Sequence, residues 1–403
     1  MPTDSPLSLP CLSSQERIDL ALEHAASRII AFRRHLHQHP ELSLKEFATS
    51  AWIAQILEAE GIGLRLGSGD RGVIVDVGTL PASGGIALRA DCDALPILEE
   101  NTFPHASGHP GVMHACGHDA HTAMLLGAVI ALHHAGAPVA ARGIFQPAEE
   151  AGDGALGMIS DGALNGVSAI IALHVDPNLP TGRAAAVAGP QTASCQDFSV
   201  TIHGRGGHAA RPHLTIDPVA IAASLITQIY QAVPRHLDSR QAVVVSICQI
   251  HAGHASNVIP DTARLDGTIR SLDNGSAIAA REKLERLCRG VAVGSGAEIV
   301  PVFERRIPGT VNDPAVTGVC AEAAFELFGP DAVLTTGPAS LGAEDFADYL
   351  QLVPGCMMRL GVKYPDRPVT PLHTPTFDLD ETALIHGSRL LLHSLLKLAQ
   401  PPC

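Results

Sequence analysis

Side chains that bind metal ions or transfer protons are concentrated in five short segments of the 403-residue sequence. Four of these segments lie in the first half of the chain, at 89–93, 113–119, 146–150 and 173–174. The fifth, at 372–375, lies far downstream. Thiolate, imidazole and carboxylate groups, which these segments supply, are the ligands that proteins offer to zinc and similar divalent metals. The segments therefore predict a metal site.

Taken singly, each of these residues has an ordinary explanation. A lone Cys-Gly-His is weak evidence, His174 closes an apolar run in which core histidines are common, and adjacent glutamates are usually a solvated helix face. Glu149 and Glu150, however, follow Pro147 at the end of a predicted strand. The joint pattern favours a function, because one thiolate, three imidazoles and a carboxylate can serve two metals, with one more carboxylate beside them.

The elements that must position these side chains are alternating helices and strands. Helices are predicted from the capping-box pair Ser13 and Glu16 toward Arg34, over 47–60 and over 120–132, and strands over 73–77, 86–90, 143–146 and 168–173. This alternation is typical of an α/β domain with a largely parallel sheet. Ligand sites in such sheets lie beyond the carboxyl ends of the strands, so this topology can gather segments that are remote in sequence.

The pattern changes in the middle of the chain. Strands are predicted over 198–203, 242–250, 262–269 and 298–303, with one helix that begins at Asp217-Pro218 and another around 284–291. This β-α-β-β-α-β order is typical of a ferredoxin-like domain. Because 403 residues exceed what one core usually serves, two domains are expected. We predict a catalytic domain formed by 1–190 and 306–403, with 191–305 inserted as the second domain.

Composition excludes several classes of protein. The formal net charge of −14 and the lack of a Lys/Arg cluster argue against nucleic-acid binding. No apolar run reaches the roughly 18 residues of a membrane span. Residues 1–14 lack the basic start and apolar stretch of a secretory signal. Nine scattered cysteines without a C-x-x-C pair indicate reduced thiols. A cytoplasmic protein without membrane or nucleic-acid partners is therefore expected.

Motifs along nearly the whole chain resemble one enzyme family, the amidohydrolase branch of the aminoacylase and glutamate-carboxypeptidase superfamily of metallopeptidases. This branch includes hippurate hydrolases, N-acyl-amino-acid amidohydrolases and plant indole-acetyl-amino-acid hydrolases. In chain order, the matching motifs lie at 35–41, 91–96, 113–119, 146–150, 204–213, 257–260, 267–270, 344–346 and 373–375. Each motif is short, but their combination in this order is highly specific.

The resemblance implies a dinuclear metal centre. Cys116 would bridge two divalent metals, at a place that aspartate takes in other branches. One metal would also bind His118 and His174, and the other would bind Glu150 and His373. Two metal ions per subunit are thus expected, with manganese or zinc first and cobalt or nickel as alternatives, because thiolate and imidazole disfavour magnesium and calcium.

The resemblance also implies roles for residues outside the metal shell. Glu149 would be the general base, which takes a proton from the attacking water and returns it to the departing amine. Asp93 would orient a metal ligand, with a strand-end cap as the alternative. His208 would reach a neighbouring subunit's active site and help to hold the oxyanion. Asn257 and Arg270 would bind the substrate's carboxylate, although a surface ion pair is the alternative for Arg270.

The inserted domain would accordingly be a lid and dimerisation domain, and the protein a homodimer or a larger homo-oligomer. Cys92 and Ala343 depart from the family, where methionine and serine are common. Neither position is a ligand, so only the shape of the pocket is affected. The histidines of the 35–41 motif receive no catalytic role.

The expected reaction is hydrolysis of an N-acyl amino acid, such as a hippurate-like conjugate, to a carboxylic acid and a free amino acid. A dipeptidase or a biosynthetic N-acetyl-amino-acid deacetylase is the alternative within the same chemistry. A metal-stabilised binding protein without turnover is the alternative from another class. Glu149 argues against it, because a purely structural site closes its coordination shell and needs no separate base. The sequence leaves the acyl group, the amino-acid side chain and the native metal open.

Overall fold

The computed structural model describes residues 12–400. The helices are α1 (Ser14–Gln38), α2 (Phe47–Ala59), α3 (His118–His134), α4 (Gly154–Ser160), α5 (Pro218–His236), α6 (Asn274–Ser295), α7 (Pro314–Phe328), α8 (Phe346–Leu350) and α9 (Ala383–Leu398). The strands are β1 (Leu64–Leu66), β2 (Val73–Val77), β3 (Gly85–Asp91), β4 (Ala141–Gln146), β5 (Val167–Pro180), β6 (Ala184–Ala185), β7 (Gly189–Pro190), β8 (Ser194–His203), β9 (Gly207–His208), β10 (Val243–Ala252), β11 (Val258–Ile259), β12 (Thr262–Ser271), β13 (Glu298–Phe303), β14 (Val311–Asn312), β15 (Val333–Leu334) and β16 (Gly355–Lys363).

The described chain forms two compact units. The first unit contains the residues up to Gly189, Val311–Gly337 and the residues from Asp348 onward. The second unit contains Pro190–Thr310 and Pro338–Ala347. Each unit has its own hydrophobic core of buried side chains.

The first unit is built on an eight-stranded sheet in the order β1-β2-β4-β3-β5-β16-β6-β15. The four central strands β4, β3, β5 and β16 are parallel to one another. At one end, β1 and β2 pair antiparallel, and at the other, β6 pairs antiparallel with β16. The predicted α/β fold with a largely parallel sheet is confirmed.

Helix α3 is the most deeply buried of the helices that pack against this sheet. Every residue from His118 to Leu132 is buried, because α1, α9 and the sheet enclose the helix. A helix that is apolar on all sides belongs in a core. The first residue of this helix, His118, is therefore fixed by the packing of the core rather than by an exposed loop.

Helix α1 begins with the predicted capping box. The backbone N–H of Glu16 donates to Ser13 Oγ at 3.2 Å, and the backbone N–H of Ser13 donates to Glu16 Oε2 at 2.7 Å. This reciprocal pair satisfies two of the N–H groups that every helix start leaves without intrahelical partners. The helix then continues past Arg34 to Gln38, so it carries His35 and His37.

The second unit is a four-stranded antiparallel sheet in the order β10-β12-β8-β13 with helices α5 and α6. The chain order is β-α-β-β-α-β, which is the predicted ferredoxin-like arrangement. Asp217 caps α5, because its side chain accepts from the backbone N–H of Val219 at 2.9 Å and Pro218 follows at the first helical position. Both predicted features of this helix start are present.

One segment belongs to a different unit than the sequence indicated. The predicted catalytic domain included all of 306–403, but Pro338–Ala347 is part of the second unit. The backbone N–H of Ser340 donates to the Gln191 carbonyl at 2.8 Å, and that of Ala193 donates to the Gly342 carbonyl at 3.0 Å. These bonds join residues about 150 positions apart, so local sequence patterns carry no signal of them.

None of the helices within residues 12–400 combines the length and apolarity that crossing a bilayer requires.

Candidate metal centre

Three parallel strands bring their polar residues to one edge of the large sheet. β3 ends at Asp91 and β4 ends at Gln146, and these two residues are register partners. β5 pairs with β3 as far as Arg89 and Ala172, so His174, two residues further on, lies level with the end of β3. β5 does not end at Leu173 as predicted, because β16 pairs with it well beyond that point and extends it.

Cys116 and His118 reach this edge from the start of α3. Gly117 between them has a φ of 88°, and a Cβ at this position would lie 2.5 Å from Cγ2 of Val175. Only glycine fits both the left-handed backbone and the close approach. The turn directs Cys116 and His118 toward the same space, at a helix N-terminus whose partial positive charge favours a thiolate.

Two further turns with unusual backbone conformations complete the site. Ala148, which precedes Glu149 and Glu150, has a φ of 56°, and His373 has a φ of 60°. Residues with a Cβ rarely adopt this left-handed region, and such strain is concentrated at functional sites. The backbone N–H of His373 donates to the Ala115 carbonyl at 2.8 Å, which ties the downstream histidine to the segment of Cys116.

Among the compact groups of potential ligand atoms, two share Cys116. In the first group are Cys116, His118 and His174, and in the second are Cys116, Glu150 and His373, with the ligand atoms of each group within 4.8 Å of one another. Cys116 Sγ lies 3.6 Å from His174 Nε2 and 3.3 Å from His373 Nε2. His373 Nε2 lies 3.2 Å from Glu150 Oε1. This division is the one that the resemblance implied, with the thiol at the shared position.

The donor set fits divalent metals of the zinc and manganese kind. Nδ1 of His118 lies 3.0 Å from the Asp93 carbonyl and 3.2 Å from Asp93 Oδ1, and Nδ1 of His174 lies 2.8 Å from the Val175 carbonyl. Each Nδ1 therefore carries the proton, which leaves Nε2 as the donor atom. Nε2 of His118 is buried and has no hydrogen-bond partner among residues 12–400. A metal ion is the partner that such an arrangement suits.

The cluster holds thiolate and carboxylate charge against imidazolium charge. Burial raises the pKa of Cys116, but the charge of His118 and hydrogen bonds from His174 and His373 outweigh it and lower that pKa to about 6. Hydrogen bonds to Cys116 and Glu150 raise the pKa of His373 to about 10. In the metal-free protein His373 therefore carries a proton, and binding of a metal to this histidine must release that proton.

Glu149 lies beside the ligands and is almost completely buried. Its Oε2 is 3.9 Å from His118 Nε2, and the ligand atoms of Glu149, Glu150 and His118 form a further compact group. The two adjacent glutamates therefore both face the cluster. Glu150 is the one that contacts His373 and shares its group with Cys116.

A buried polar chain behind His118 was missed by the sequence interpretation. Asp91 Oδ1 lies 2.6 Å from Nδ1 of His121, whose Nε2 accepts from the backbone N–H of Val175 at 2.9 Å. Arg89 donates to Asp91 Oδ2 at 2.6 Å. His121 is buried and received no role from the sequence. Its spacing of three residues from His118 places both on one helix face, which was the available signal.

The remaining predicted site residues lie in the second unit. His208 is in β9, which pairs with β11, and the backbone N–H of Ala209 donates to the Asn257 carbonyl at 3.1 Å. His208 and Asn257 are thus neighbours, and both are exposed. Arg270 is in β12 of the four-stranded sheet, where its guanidinium donates to the Leu341 carbonyl at 3.0 Å. Their roles toward a substrate stay predictions.

A partly buried cluster that contains two ligand groups, with a further carboxylate beside them, is typical of a metal-dependent hydrolytic centre. The model of peptidase family M20/M25/M40 matches residues 87–397. The chain therefore belongs to this family, and the predicted resemblance is confirmed. It is a metallo-amidohydrolase of that family.

Individual relatives cover most of the chain. N-acetyl-L-cysteine deacetylase of Bacillus subtilis is 37% identical over 95% of this chain and 91% of its own length. IAA-amino acid hydrolase ILR1-like 2 of Arabidopsis thaliana is 36% identical over 90% of this chain and 83% of its own length. Among solved structures, the YXEP protein of Bacillus subtilis, described as a dinuclear metal binding peptidase from the M20 family, superposes with a TM-score of 0.79 at 36% identity. That comparison covers 93% of this chain and 98% of the other.

Proposed function

We propose that this protein hydrolyses the amide bond of N-acyl amino acids, releasing a carboxylic acid and a free amino acid. The observation that carries the proposal is the pair of adjacent glutamates, of which Glu150 shares a ligand group with Cys116 while Glu149 stands beside it. The relatives support the substrate class, because their names describe an N-acetyl-cysteine deacetylase and an indole-acetyl-amino-acid hydrolase. Both are enzymes of N-acyl amino acids.

Two divalent metals are proposed as cofactors, with Cys116 between them. His118 and His174 would hold one metal, and Glu150 and His373 the other. Manganese and zinc suit the thiolate, imidazole and carboxylate set best, with cobalt and nickel as alternatives. Such ions supply Lewis acidity, which makes water a better acid and stabilises negative charge on the amide oxygen.

Glu149 is the proposed general base and acid. It stands within the ligand cluster but is not needed to complete either ligand group. A carboxylate placed there takes a proton from the attacking water and gives it to the amine that leaves. Asp93 is proposed to orient His118, because both its carbonyl and its Oδ1 lie within hydrogen-bond distance of Nδ1.

The second unit is proposed to bind the substrate's carboxylate and to complete the oxyanion site. Arg270 and Asn257 would bind the carboxylate, since a guanidinium can donate two parallel hydrogen bonds. His208 would stabilise the oxyanion in the active site of a neighbouring subunit. His208 and Asn257 are exposed, which suits residues that act on groups outside their own unit.

A homodimer through the second unit is proposed as the assembly. β10 is an edge strand of the four-stranded sheet, and its residues from Cys248 to Ala252 are all exposed. An exposed edge strand offers unpaired backbone groups to a second copy of the chain. A cytoplasmic location is proposed on the cysteines, because all seven in the described residues are free thiols.

Deacetylation is a narrower activity within this proposal, and a dipeptidase is the alternative to it. Deacetylation of N-acetyl amino acids is favoured by the deacetylase relative, while cleavage of dipeptides would require a site that accepts a free α-amine. The acyl group separates these activities. A panel of substrates that keeps the amino acid constant and varies the acyl group distinguishes them.

The test is turnover by the metal-free protein after reloading. The metal-free enzyme is loaded with manganese, zinc, cobalt or nickel and assayed against the benzoyl, acetyl and indole-acetyl conjugates of one amino acid and against a dipeptide that ends in the same amino acid. We expect hydrolysis of at least one N-acyl amino acid, at a higher kcat/KM than the dipeptide. Preference for the dipeptide, or no turnover with any of the metals, would refute the proposal.

A further inference from the structure

The loop that joins α1 to α2 contacts the turn that carries Glu149 and Glu150. Glu46, at the end of this loop, is completely buried. Its Oε1 accepts from the backbone N–H of Ala148 at 2.8 Å and from that of Leu44 at 3.0 Å. One carboxylate oxygen therefore joins two turns that are about a hundred residues apart in sequence.

Both residues that donate to Glu46 have a left-handed backbone. Ala148 has a φ of 56° and Leu44 a φ of 66°. Neither is a glycine, so this conformation is unfavourable unless the surroundings enforce it. A buried acceptor that receives both N–H groups is such a constraint. Without it, the backbone before Glu149 is free to relax toward a right-handed conformation, which would re-aim both glutamates.

A second contact from the same loop supports the other end of the turn. The Ser43 hydroxyl donates to Asp93 Oδ2 at 2.7 Å, and the same Oδ2 accepts from the backbone N–H of Glu150 at 3.0 Å. The amides on either side of Glu149, those of Ala148 and Glu150, are thus each held by a buried carboxylate. Glu46 is part of the loop at 41–46, and Asp93 accepts a hydrogen bond from Ser43 of the same loop.

We propose that Glu46 is a positioning residue for the hydrolytic reaction, which holds the turn at Ala148 so that Glu149 and Glu150 keep their separate places in the cluster. This inference rests on the proposed function for its catalytic part. It assigns a purpose to the segment that follows the 35–41 motif, which the sequence interpretation left without one. Glu46 belongs to none of the ligand groups and bonds to backbone N–H groups, so its effect is transmitted through the backbone.

Glu46 is suited to replacement by glutamine. Burial raises the pKa of Glu46 to about 7, and the nearby charge of Asp93 adds to this effect. An uncharged side chain of the same length is therefore tolerated at this place. The carbonyl oxygen of glutamine can accept the same two backbone N–H groups, whereas alanine can accept neither.

The matched control is Glu41 in the same loop. Its carboxylate accepts from the backbone N–H groups of Ala48 at 3.2 Å and Thr49 at 2.7 Å, at the start of α2. It thus has the same residue type and the same kind of bond, but none of its side-chain bonds reaches the turn at 147–150. Loss of Glu41 reports the effect of weakening the loop and helix alone.

The experiment compares Glu46→Ala, Glu46→Gln and Glu41→Ala in the full chain, using kcat, KM, the Kd for Mn²⁺ and the melting temperature. For Glu46→Ala we expect kcat to fall ~10–100-fold and the Kd for Mn²⁺ to rise ~10-fold, with KM changed less than about threefold, as for other residues behind a metal shell. Glu46→Gln should restore kcat and Kd to within about threefold of the parent. Glu41→Ala should lower only the melting temperature.

The inference is overturned if Glu46→Ala lowers the melting temperature but leaves kcat and the Kd for Mn²⁺ unchanged, or if Glu41→Ala matches its loss of kcat. If Glu46→Ala does not fold, Glu46→Asp decides, because aspartate keeps the carboxylate but is too short to reach Ala148. A kcat equal to that of the parent in Glu46→Asp overturns the inference. If the parent itself hydrolyses no N-acyl amino acid, the proposed function fails, while the Kd for Mn²⁺ still tests the positioning of Glu150.

Discussion

The metal cluster of the first unit and the predicted substrate residues of the second unit are held in opposite ways. In the first unit, Cys116 and His118 are buried. The Nδ1 atoms of His118 and His174 are hydrogen-bonded, which orients their Nε2 atoms toward the cluster. His208 and Asn257 are exposed, and within the described residues the side chain of Arg270 makes one hydrogen bond, to the Leu341 carbonyl. The first region is organised by its own chain before any ligand arrives. The second offers side chains that are exposed or held by few side-chain bonds.

This difference separates the expected effects of mutation. Changes in the cluster should alter metal binding, while changes in the second unit should alter turnover or substrate binding and leave the metals in place. The proposed general base is the exception that tests this division most severely, because Glu149 stands inside the cluster but is not proposed to bind a metal. The following expectations run from the largest effect to the smallest.

Glu149→Gln should reduce kcat by ~10²–10⁴-fold, which is the range that general acid–base catalysis contributes. Metal content and melting temperature should match the parent, since glutamine has the same shape and Glu150 completes the second ligand group. The measurement is kcat together with elemental analysis of the dialysed protein. A variant that loses a metal would make Glu149 a ligand and remove the distinction between the two glutamates.

His208→Ala should reduce kcat by ~10²–10³-fold, as loss of one oxyanion donor does, with metal content unchanged. If His208 acts in a neighbouring subunit, mixing inactive His208→Ala with inactive Glu149→Gln restores activity. Random pairing of the two chains gives mixed dimers with one complete site, so about a quarter of the parental activity is expected. A mixture that stays inactive although mixed dimers form rules out action between subunits.

Metal affinity should fall as the pH falls. His373, with its pKa raised to about 10, is protonated in the metal-free protein at neutral pH, and this proton must leave when the metal binds. The Kd for Mn²⁺ at fixed ionic strength should therefore rise ~10-fold for each unit by which the pH is lowered between 8.5 and 6.5. His373→Asn should flatten this dependence. A Kd independent of pH in the parent would mean that metal binding does not displace a proton from His373.

Arg270→Lys should raise KM by ~5–10-fold and change kcat less, because lysine keeps the charge but loses the planar fork that binds a carboxylate through two bonds. Steady-state kinetics with an N-acyl amino acid and with its amide, which lacks the carboxylate, provide the comparison. The substitution should affect the acid far more than the amide. Equal effects on both would assign Arg270 to support of the Leu341 segment instead.

The sequence was most informative where the chemistry is dense and the elements are local. The strands predicted over 86–90 and 143–146 and the capping box of α1 rest on short-range patterns, and all three are present. The left-handed backbone of Ala148 was not predicted, because alanine favours helices and its conformation depends on Glu46, about a hundred residues away. The extension of β5 beyond Leu173 likewise depends on pairing with β16. The features that the sequence did not predict depend on residues that are distant in the chain.

The measurement that tests the account most directly is the metal stoichiometry of the protein and of Cys116→Ser. Both are dialysed against metal-free buffer after loading with Mn²⁺ or Zn²⁺, and metal per chain is determined by elemental analysis. Because the two ligand groups share Cys116, the account predicts two ions per chain in the parent and loss of both ions, or a large drop in affinity for both, in the variant. Full retention of two ions by Cys116→Ser would contradict it.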